Sequence, residues 1–269
     1  MYNGVVGKGV GALKLKDKVA VVTGGASGIG EACSRKFMAA GAKAVVVVDR
    51  NAEGAIRVAD EIGGVAMAAD VANEDDIIRV VNDTEAQCGP IDLFFSNAGI
   101  GIPDGETAAG AANDAWQNIW EINVMSHVYA ARVLLPKMIE RGEGYLLSTA
   151  SAAGLLSQIG SAGYSVTKAG AVAFAENISI MHGDQGVKVS VFCPQAVLTE
   201  MTRASGGGVA AVDGLMQADE AADIVLQGID DETFLILSHP EVRTYMERKI
   251  SDRDRWLGGM RRLRDRFRK

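Results

Sequence analysis

Tyr164 and Lys168 stand four residues apart in Tyr164-Ser165-Val166-Thr167-Lys168, and Ser151 lies thirteen positions before the tyrosine. On a helix that spacing puts the two side chains one turn apart on one face, so an ammonium can lie close to a phenol. A phenol titrates near ~10 and is a poor base at neutral pH, and a fixed cation beside it stabilises the phenolate. The chemistry open to such a pair is proton transfer. The same spacing arises by chance in many helices, so its meaning depends on what else reaches the same place.

A strand, a glycine turn and a helix come first along the chain. Lys18 to Thr23 is a β-rich run that stops at Gly24-Gly25-Ala26-Ser27-Gly28-Ile29-Gly30, and Ala32, Cys33, Phe37 and Met38 follow at helical spacing. Glycines let the backbone turn sharply and let a pyrophosphate approach the N–H groups of a helix N-terminus. The spacing here, Thr-Gly-x-x-x-Gly-x-Gly, differs from the commonest dinucleotide fingerprint. The second strand, Ala44 to Val48, is apolar throughout and ends in Asp49. A carboxylate at that distance from the turn is placed to accept from adenosine ribose hydroxyls and to repel a 2′-phosphate. With no Arg or Lys inside the turn, NAD is favoured over NADP, although Arg50 could instead meet a phosphate.

The alternation continues. Gly64 to Ala69 is a third strand ending in Asp70-Val71, a helix covers Asn73 to Cys88, and Ile91 to Phe95 is a fourth strand closed by Ser96-Asn97-Ala98-Gly99. After the polar loop 101–114, a long helix runs from about Asp114 to Arg141 and carries Asn123 and His127, each open to a plain surface or packing role. Tyr145 to Thr149 is a fifth strand with Ser151 leaving its carboxyl end, and the helix of Tyr164 and Lys168 runs to about Met181. Val187 to Cys193 is a sixth strand, followed by Pro194-Gln195-Ala196-Val197-Leu198-Thr199. The glycine-rich stretch 204–214 suits a lid or substrate loop within 201–217, before a helix at Ala218 to Asp231 and a last strand at Thr233 to Leu237. Strands and helices in this rhythm predict a single-domain α/β fold, a Rossmann-type doubly wound parallel sheet of about seven strands. Ligands bind at the carboxyl ends of such strands, where the glycine turn, Asp49, Asp70 and Asn97 all fall.

At 269 residues with 48% hydrophobic side chains, the chain can bury one large core. Cys33, Cys88 and Cys193 lack the spacing of a zinc site or disulfide framework, so no metal is expected. No apolar run reaches transmembrane length and no secretory leader is evident, so a cytoplasmic location is expected. The net charge of −7 conceals a basic end: residues 241–269 hold eleven Lys/Arg against five Asp/Glu. Tyr245, Met246 and Ile250 form one apolar face there, and Trp256, Met260, Leu263 and Phe267 form a second after Ser251-x-x-Asp254, a capping-box pattern. This helical extension could dock on a partner subunit's acidic surface, lie on a membrane or contact nucleic acid. The acidic body favours the first and disfavours nucleic acid as a partner.

In their order and context, Thr23-Gly24-x-x-x-Gly28-x-Gly30, Asn97-Ala98-Gly99, Asn123, Ser151 and Tyr164-x-x-x-Lys168 resemble the short-chain dehydrogenase/reductase family over roughly Leu13 to Leu237. The resemblance implies a catalytic tetrad of Asn123, Ser151, Tyr164 and Lys168. Tyr164 would exchange the alcohol proton while hydride passes between substrate and NAD, with NADP the less favoured cofactor. Lys168 would also bond the nicotinamide ribose, and Asn123 would position a water linking Lys168 to solvent. Gly24, Ser27, Gly28, Ile29 and Gly30 would surround the dinucleotide's phosphates, Asp49 and Arg50 its adenosine ribose, and Asp70 and Val71 its adenine. Asn97, Ala98, Gly99, Pro194, Val197 and Thr199 would complete the wall. Family members typically assemble as tetramers or dimers, so a homo-oligomer is expected. Gln195 departs from the family's frequent Pro-Gly and brings a side chain toward the nicotinamide pocket, and Ser96 replaces a common Asn. Ala152, Ala153, Leu155, Leu156, Ile159, Met201, Val209 and Met216 are candidates to line a pocket for a small lipophilic secondary alcohol or ketone. The competing function class is a catalytically silent dinucleotide-binding protein of the same fold.

Overall fold

A computed structural model of the chain describes residues 14–203 and 207–267. The N-terminal segment 1–12, expected to be flexible, and residues 204–206 of the glycine-rich stretch lie outside them. Seven parallel strands form one sheet: β1 (Val19–Thr23), β2 (Ala44–Asp49), β3 (Val65–Ala68), β4 (Leu93–Ser96), β5 (Gly144–Thr149), β6 (Val187–Cys193) and β7 (Leu235–Leu237), in the order β3-β2-β1-β4-β5-β6-β7. The order reverses between β1 and β4, and that switch point opens a crevice at the carboxyl edge of the sheet.

Valine-rich strands suit this placement because both faces of a parallel sheet are buried. Neighbours along β1 serve opposite cores, as a period of two requires. Val21 belongs to the layer with Ile77 and Val80 of α3 (Glu74–Cys88), Leu134 of α5 (Ser126–Arg141) and Ala171 of α7 (Ala162–His182). Val22 belongs to the layer with Phe37 of α1 (Gly28–Ala39), Val58 of α2 (Ala52–Ile62) and Val225 of α9 (Ala218–Asp230). Phe37 is fully buried and meets Phe95 with ring centroids 6.3 Å apart. Each such ring contributes about 1.5–3 kcal/mol by leaving water.

The long helix expected from 114 to 141 is divided. It begins as α4 (Asn113–Trp120), passes through a π turn at Glu121–Met125, and continues as α5. Short helices α6 (Ala152–Leu156) and α8 (Glu200–Arg203) stand at the carboxyl edge of the sheet, with a 3₁₀ turn at Gly208–Asp213. Two further helices follow β7, α10 (Glu241–Ser251) and α11 (Arg253–Phe267).

Their junction differs from the expected capping box. Asp252 Oδ1 accepts the Arg255 backbone N–H at 2.9 Å, while Ser251 donates back to the Arg248 carbonyl. Asp252 is extended, with φ of −151°, so it leaves the first helix and caps the second. The pair folds back on its own chain. Tyr245 donates to Asp213 in the 3₁₀ turn at 2.8 Å, Lys249 donates to the Leu155 carbonyl at the end of α6, and Tyr245 packs on Trp256. Within the chain, the tail thus lies against α6 and the 3₁₀ turn at the carboxyl edge of its own sheet.

Candidate active site

The glycine turn between β1 and α1 is shaped by what it must leave room for. Gly24 and Gly28 have φ of +64° and +55°, where side chains are disfavoured. A Cβ on Gly30 would fall 2.2 Å from the Gly24 carbonyl oxygen, so the third glycine lets the helix close against the turn. Ser27, at the N-cap of α1, makes no side-chain capping bond, and the amides there face a cleft of about 690 Å³. Every residue expected to hold a cofactor or act in catalysis lines this cleft except Gly30, which is buried behind it, and Asn123.

At the adenosine end Asp49 is partly committed. Its Oδ2 accepts the Ala26 N–H at 3.1 Å and its Oδ1 the Asn51 N–H at 2.9 Å. Asp49 thus holds the turn to the end of β2 while its carboxylate keeps lone pairs toward the cleft. Arg57, which the sequence reading passed over, reaches the same wall from α2, donating to the Ala26 carbonyl at 2.9 Å and to Glu31 at 2.8 Å. Asp70 Oδ1 is taken up with the Ala72 N–H at 3.0 Å, and Val71 is buried next to it. Thr199 lies over the turn, its Cγ2 3.0 Å from where a Gly28 Cβ would sit.

Asn97 lines the cleft, and its side chain is bonded within the protein. Its Nδ2 donates to the carbonyls of Thr23 (3.1 Å) and Gly24 (3.3 Å), and its Oδ1 accepts from Thr149 Oγ1 at 3.0 Å. The side chain straps the ends of β1, β4 and β5 together, so its contribution to the cleft is to fix the shape of the wall. Asn123 is similar. Fully buried in the π turn, it accepts the Ile100 N–H at 2.9 Å and donates to the Ile100 carbonyl at 2.9 Å and Thr167 Oγ1 at 3.2 Å. A π turn inserts one residue into the helical register, a device common at functional sites, and here it presents Asn123 to the loop after β4.

Ser151, Tyr164 and Lys168 meet at the inner end of the cleft. Ser151 caps α6, accepting the Ala153 N–H at 3.1 Å. Lys168 is 2% exposed, donates to the Thr149 carbonyl at 2.8 Å, and sits 5.7 Å from the Tyr164 ring centroid. Burial draws its ammonium down to about 8 from an ordinary value of 10.5, so it still carries charge at neutral pH. Tyr164 does not follow the expected direction. Burial raises its phenol, the hydrogen bond with the Ser151 hydroxyl works against that rise, and the nearby Cys193 adds to it. In the chain by itself desolvation dominates, and Tyr164 is a protonated phenol, the form that donates. His127 is buried and held neutral, drawn down to about 3 by burial and by the Lys168 charge. Cys33, Cys88 and Cys193 are free thiols, and burial pushes Cys193 up to about 12.

A second cavity, of about 760 Å³, adjoins the first where Ser151 and Gln195 line both. Of the residues expected to line a substrate pocket, Ala152, Ala153, Leu156 and Val209 do so here and Met201 lies on the first cleft. Leu155, Ile159 and Met216 line neither, and Leu155 and Met216 pack against the two cores. Gln195 does not project free into the nicotinamide end. Its Nε2 donates to the Ala210 carbonyl at 2.9 Å and to Asp213 at 2.8 Å, fastening the 3₁₀ turn to the end of β6.

Residues 18–208 match the family model described as short chain dehydrogenase. A 1-deoxy-11-beta-hydroxypentalenate dehydrogenase of Streptomyces exfoliatus is 31% identical over 252 residues, covering 89% of this chain and 90% of that protein. The (-)-isopiperitenol/(-)-carveol dehydrogenase of Mentha piperita is 30% identical, covering 84% and 91%. Among solved structures, a 3-ketoacyl-(acyl-carrier-protein) reductase from Brucella melitensis complexed with NADH superposes with a TM-score of 0.76 at 30% identity, over 83% of this chain and 95% of that one. With the sheet order, the glycine turn and the Ser-Tyr-Lys group already in place, the match over most of the chain leaves one assignment: the protein belongs to the short-chain dehydrogenase family of nicotinamide-dependent oxidoreductases.

Proposed function

We propose that the chain interconverts a lipophilic secondary alcohol and its ketone with NAD as the hydride carrier. The observation that carries this reading is the meeting of Ser151, Tyr164 and Lys168 at the junction of a dinucleotide-shaped cleft with a second, mostly apolar cavity. Gly24, Gly28 and Gly30 leave the backbone bare where a pyrophosphate would lie, so the fit to a dinucleotide rests on space that any Cβ would occupy. Asp49 would hold the adenosine ribose, Asp70 and Val71 would flank the adenine, and Thr199 and Val197 would face the nicotinamide half. Bound there, the dinucleotide supplies the site that accepts or gives up hydride.

The chain's own residues handle the proton. In reduction, Tyr164 donates its phenolic proton to the oxygen developing on the substrate, and its raised pKa keeps that proton in place until the substrate oxygen takes it. In oxidation the same atom must first lose that proton, and the Lys168 ammonium close to the ring supports the phenolate. Ser151 holds the substrate oxygen against Tyr164. Asn123 positions Lys168 indirectly, by fixing the loop at Gly99 and Ile100, since a Cβ on Gly99 would lie 3.0 Å from Lys168 Nζ and 3.2 Å from Asn123 Oδ1.

NAD over NADP rests on Asp49, with Arg50 and Arg57 as the opposing cations at that end. The names of the two dehydrogenase relatives favour turnover over the silent alternative, and both point to hydroxylated lipophilic substrates. A homo-oligomer is supported by Trp120 of α4 and by Val166, Ile180 and Met181 of α7, which leave 40–80% of their surface exposed. No helix among the described residues is long and apolar enough to cross a membrane. The test is a panel of ketones and secondary alcohols followed by NADH fluorescence. Tyr164→Phe should abolish turnover and keep NADH binding, and near wild-type turnover in that variant would remove the assignment.

A further inference from the structure

We infer that the substrate is a lipophilic anion, an alcohol or ketone that also carries a carboxylate, and that Arg255, Arg262 and Arg266 of α11 bind its charged end. The inference rests on the oxidoreductase reading and adds the substrate's second functional group. The cavity that starts at Ser151 ends on α11, between apolar walls that include Leu156, Val209, Val212, Trp256, Met260 and Leu263. Those walls alone suit a neutral hydrocarbon body.

The far end does not. Arg255, Arg262 and Arg266 recur at intervals of seven and four, which places them on one helical face, interleaved with Trp256, Met260 and Leu263. Arg248 of α10 joins them on the cavity wall. None of these four guanidinium groups pairs with a carboxylate among the described residues; Arg253 and Arg261 of α11 are unpaired too but lie off the cavity wall, and Arg264 pairs with Asp265. Carboxylates near the cavity are already engaged. Asp252, which lines it, caps α11 through the Arg255 amide, and Asp213 accepts from Gln195 and Tyr245.

The helix also gives up stability in this stretch. Gly258 and Gly259 stand in its middle, where glycine costs about 1 kcal/mol relative to alanine. A Cβ would lie 3.6 Å from Arg262 Nη1 at the first and 3.8 Å from Nη2 at the second, ordinary contact distances, so both glycines lie beside that guanidinium. Gly259 itself lines the cavity. A planar fork on the cavity wall with no internal carboxylate partner matches a carboxylate, which it binds through two parallel hydrogen bonds.

Adamantane-1-carboxylate and its neutral isostere adamantane-1-carboxamide are the probes, titrated into the full chain by calorimetry and by quenching of Trp256 fluorescence, with Trp256→Phe as the blank. The expected result is a carboxylate affinity about tenfold or more above that of the carboxamide, as charge-assisted bonds require. R255A/R262A/R266A should erase that preference and leave carboxamide binding unchanged. R253A/R261A/R264A, which removes the same charge from residues off the cavity wall, should preserve it. Equal binding of the two probes to the wild-type chain, a preference that survives the inward triple variant, or one lost equally in the outward triple variant would overturn the inference. None of these outcomes touches the hydride-transfer reading, which stands or falls on turnover of neutral secondary alcohols and its loss in Tyr164→Phe.

Discussion

Asn97→Ala separates two roles that a residue at the end of β4 could play. If the side chain is a strap, its removal deletes the donors to the Thr23 and Gly24 carbonyls and the acceptor for Thr149 Oγ1. Each bond contributes about 1 kcal/mol net, and the groups left behind are only partly open to water. The site is partly buried, so the low end of the range applies, and about 2–3 kcal/mol is expected in total. For a domain of this size that is a fall of roughly 5–10 °C in melting midpoint. The Gly24 carbonyl would also lose its anchor beside the glycine turn, so NADH binding should weaken together with stability. Far-UV circular dichroism on heating and NADH fluorescence titration measure the two effects on one preparation. Asn97→Asp should be no better, because a carboxylate would replace the amide donor against two carbonyl oxygens. A midpoint within about 2 °C of the wild type, with NADH affinity down more than tenfold, would refute the strap and return Asn97 to the ligand.

Four other substitutions probe the site from different sides. Lys168 has a folded pKa near 8, below its ordinary 10.5, so the unfolded chain binds the extra proton between those values and stability should rise with pH across that window. Lys168→Met should flatten that rise in denaturant midpoints, and equal slopes in the two proteins would contradict the buried-ammonium account. Asp49→Ala should narrow the gap between NAD and NADP, and Arg57→Ala should weaken NADP more than NAD. Cofactor ratios unchanged in both would take the pair out of cofactor choice. Gln195→Gly removes both bonds to the 3₁₀ turn at Gly208–Asp213, so amide exchange there should quicken and the substrate KM should change more than NADH affinity. A turn with wild-type protection would mean that Asp213 and Tyr245 hold it without Gln195.

Much of the sheet was legible because its signals are local. Continuous valine runs stop at Thr23 and Asp49, and Val187 to Cys193 has the same bounds in sequence and structure. The glycine turn was legible for the same reason, since each glycine answers to a backbone constraint. Asn97 and Asn123 were legible as positions but not as roles, because their partners, Thr23, Thr149, Ile100 and Thr167, lie 23 to 74 residues away in sequence. The π turn had no local sign, because the helical pattern of Trp116, Ile119 and Trp120 continues through it to Val124 and Val128. The tail's amphipathic faces were visible, but what they cover was not. An apolar face and a basic one look alike whether they meet another subunit or the end of their own sheet.

That ambiguity follows from how the two halves of the site are built. The dinucleotide half is set by the backbone: a side chain at Gly30 would collide with the Gly24 carbonyl and one at Gly24 with Ala98 Cα, so few sequences satisfy it and those few share motifs. The far wall of the substrate half is set by side chains on elements that carry little of the fold. Helix α10 fully buries Val242 alone, and α11 buries no residue completely. Replacing their cavity-facing residues therefore costs the core almost nothing, while it changes the charge and shape of a pocket that opens directly on Ser151. Family motifs can identify the chemistry at Tyr164 for this reason and still say little about the molecule that reaches it. On the inference drawn above, that information lies in the tail, in the spacing of Arg255, Arg262 and Arg266 against Trp256, Met260 and Leu263.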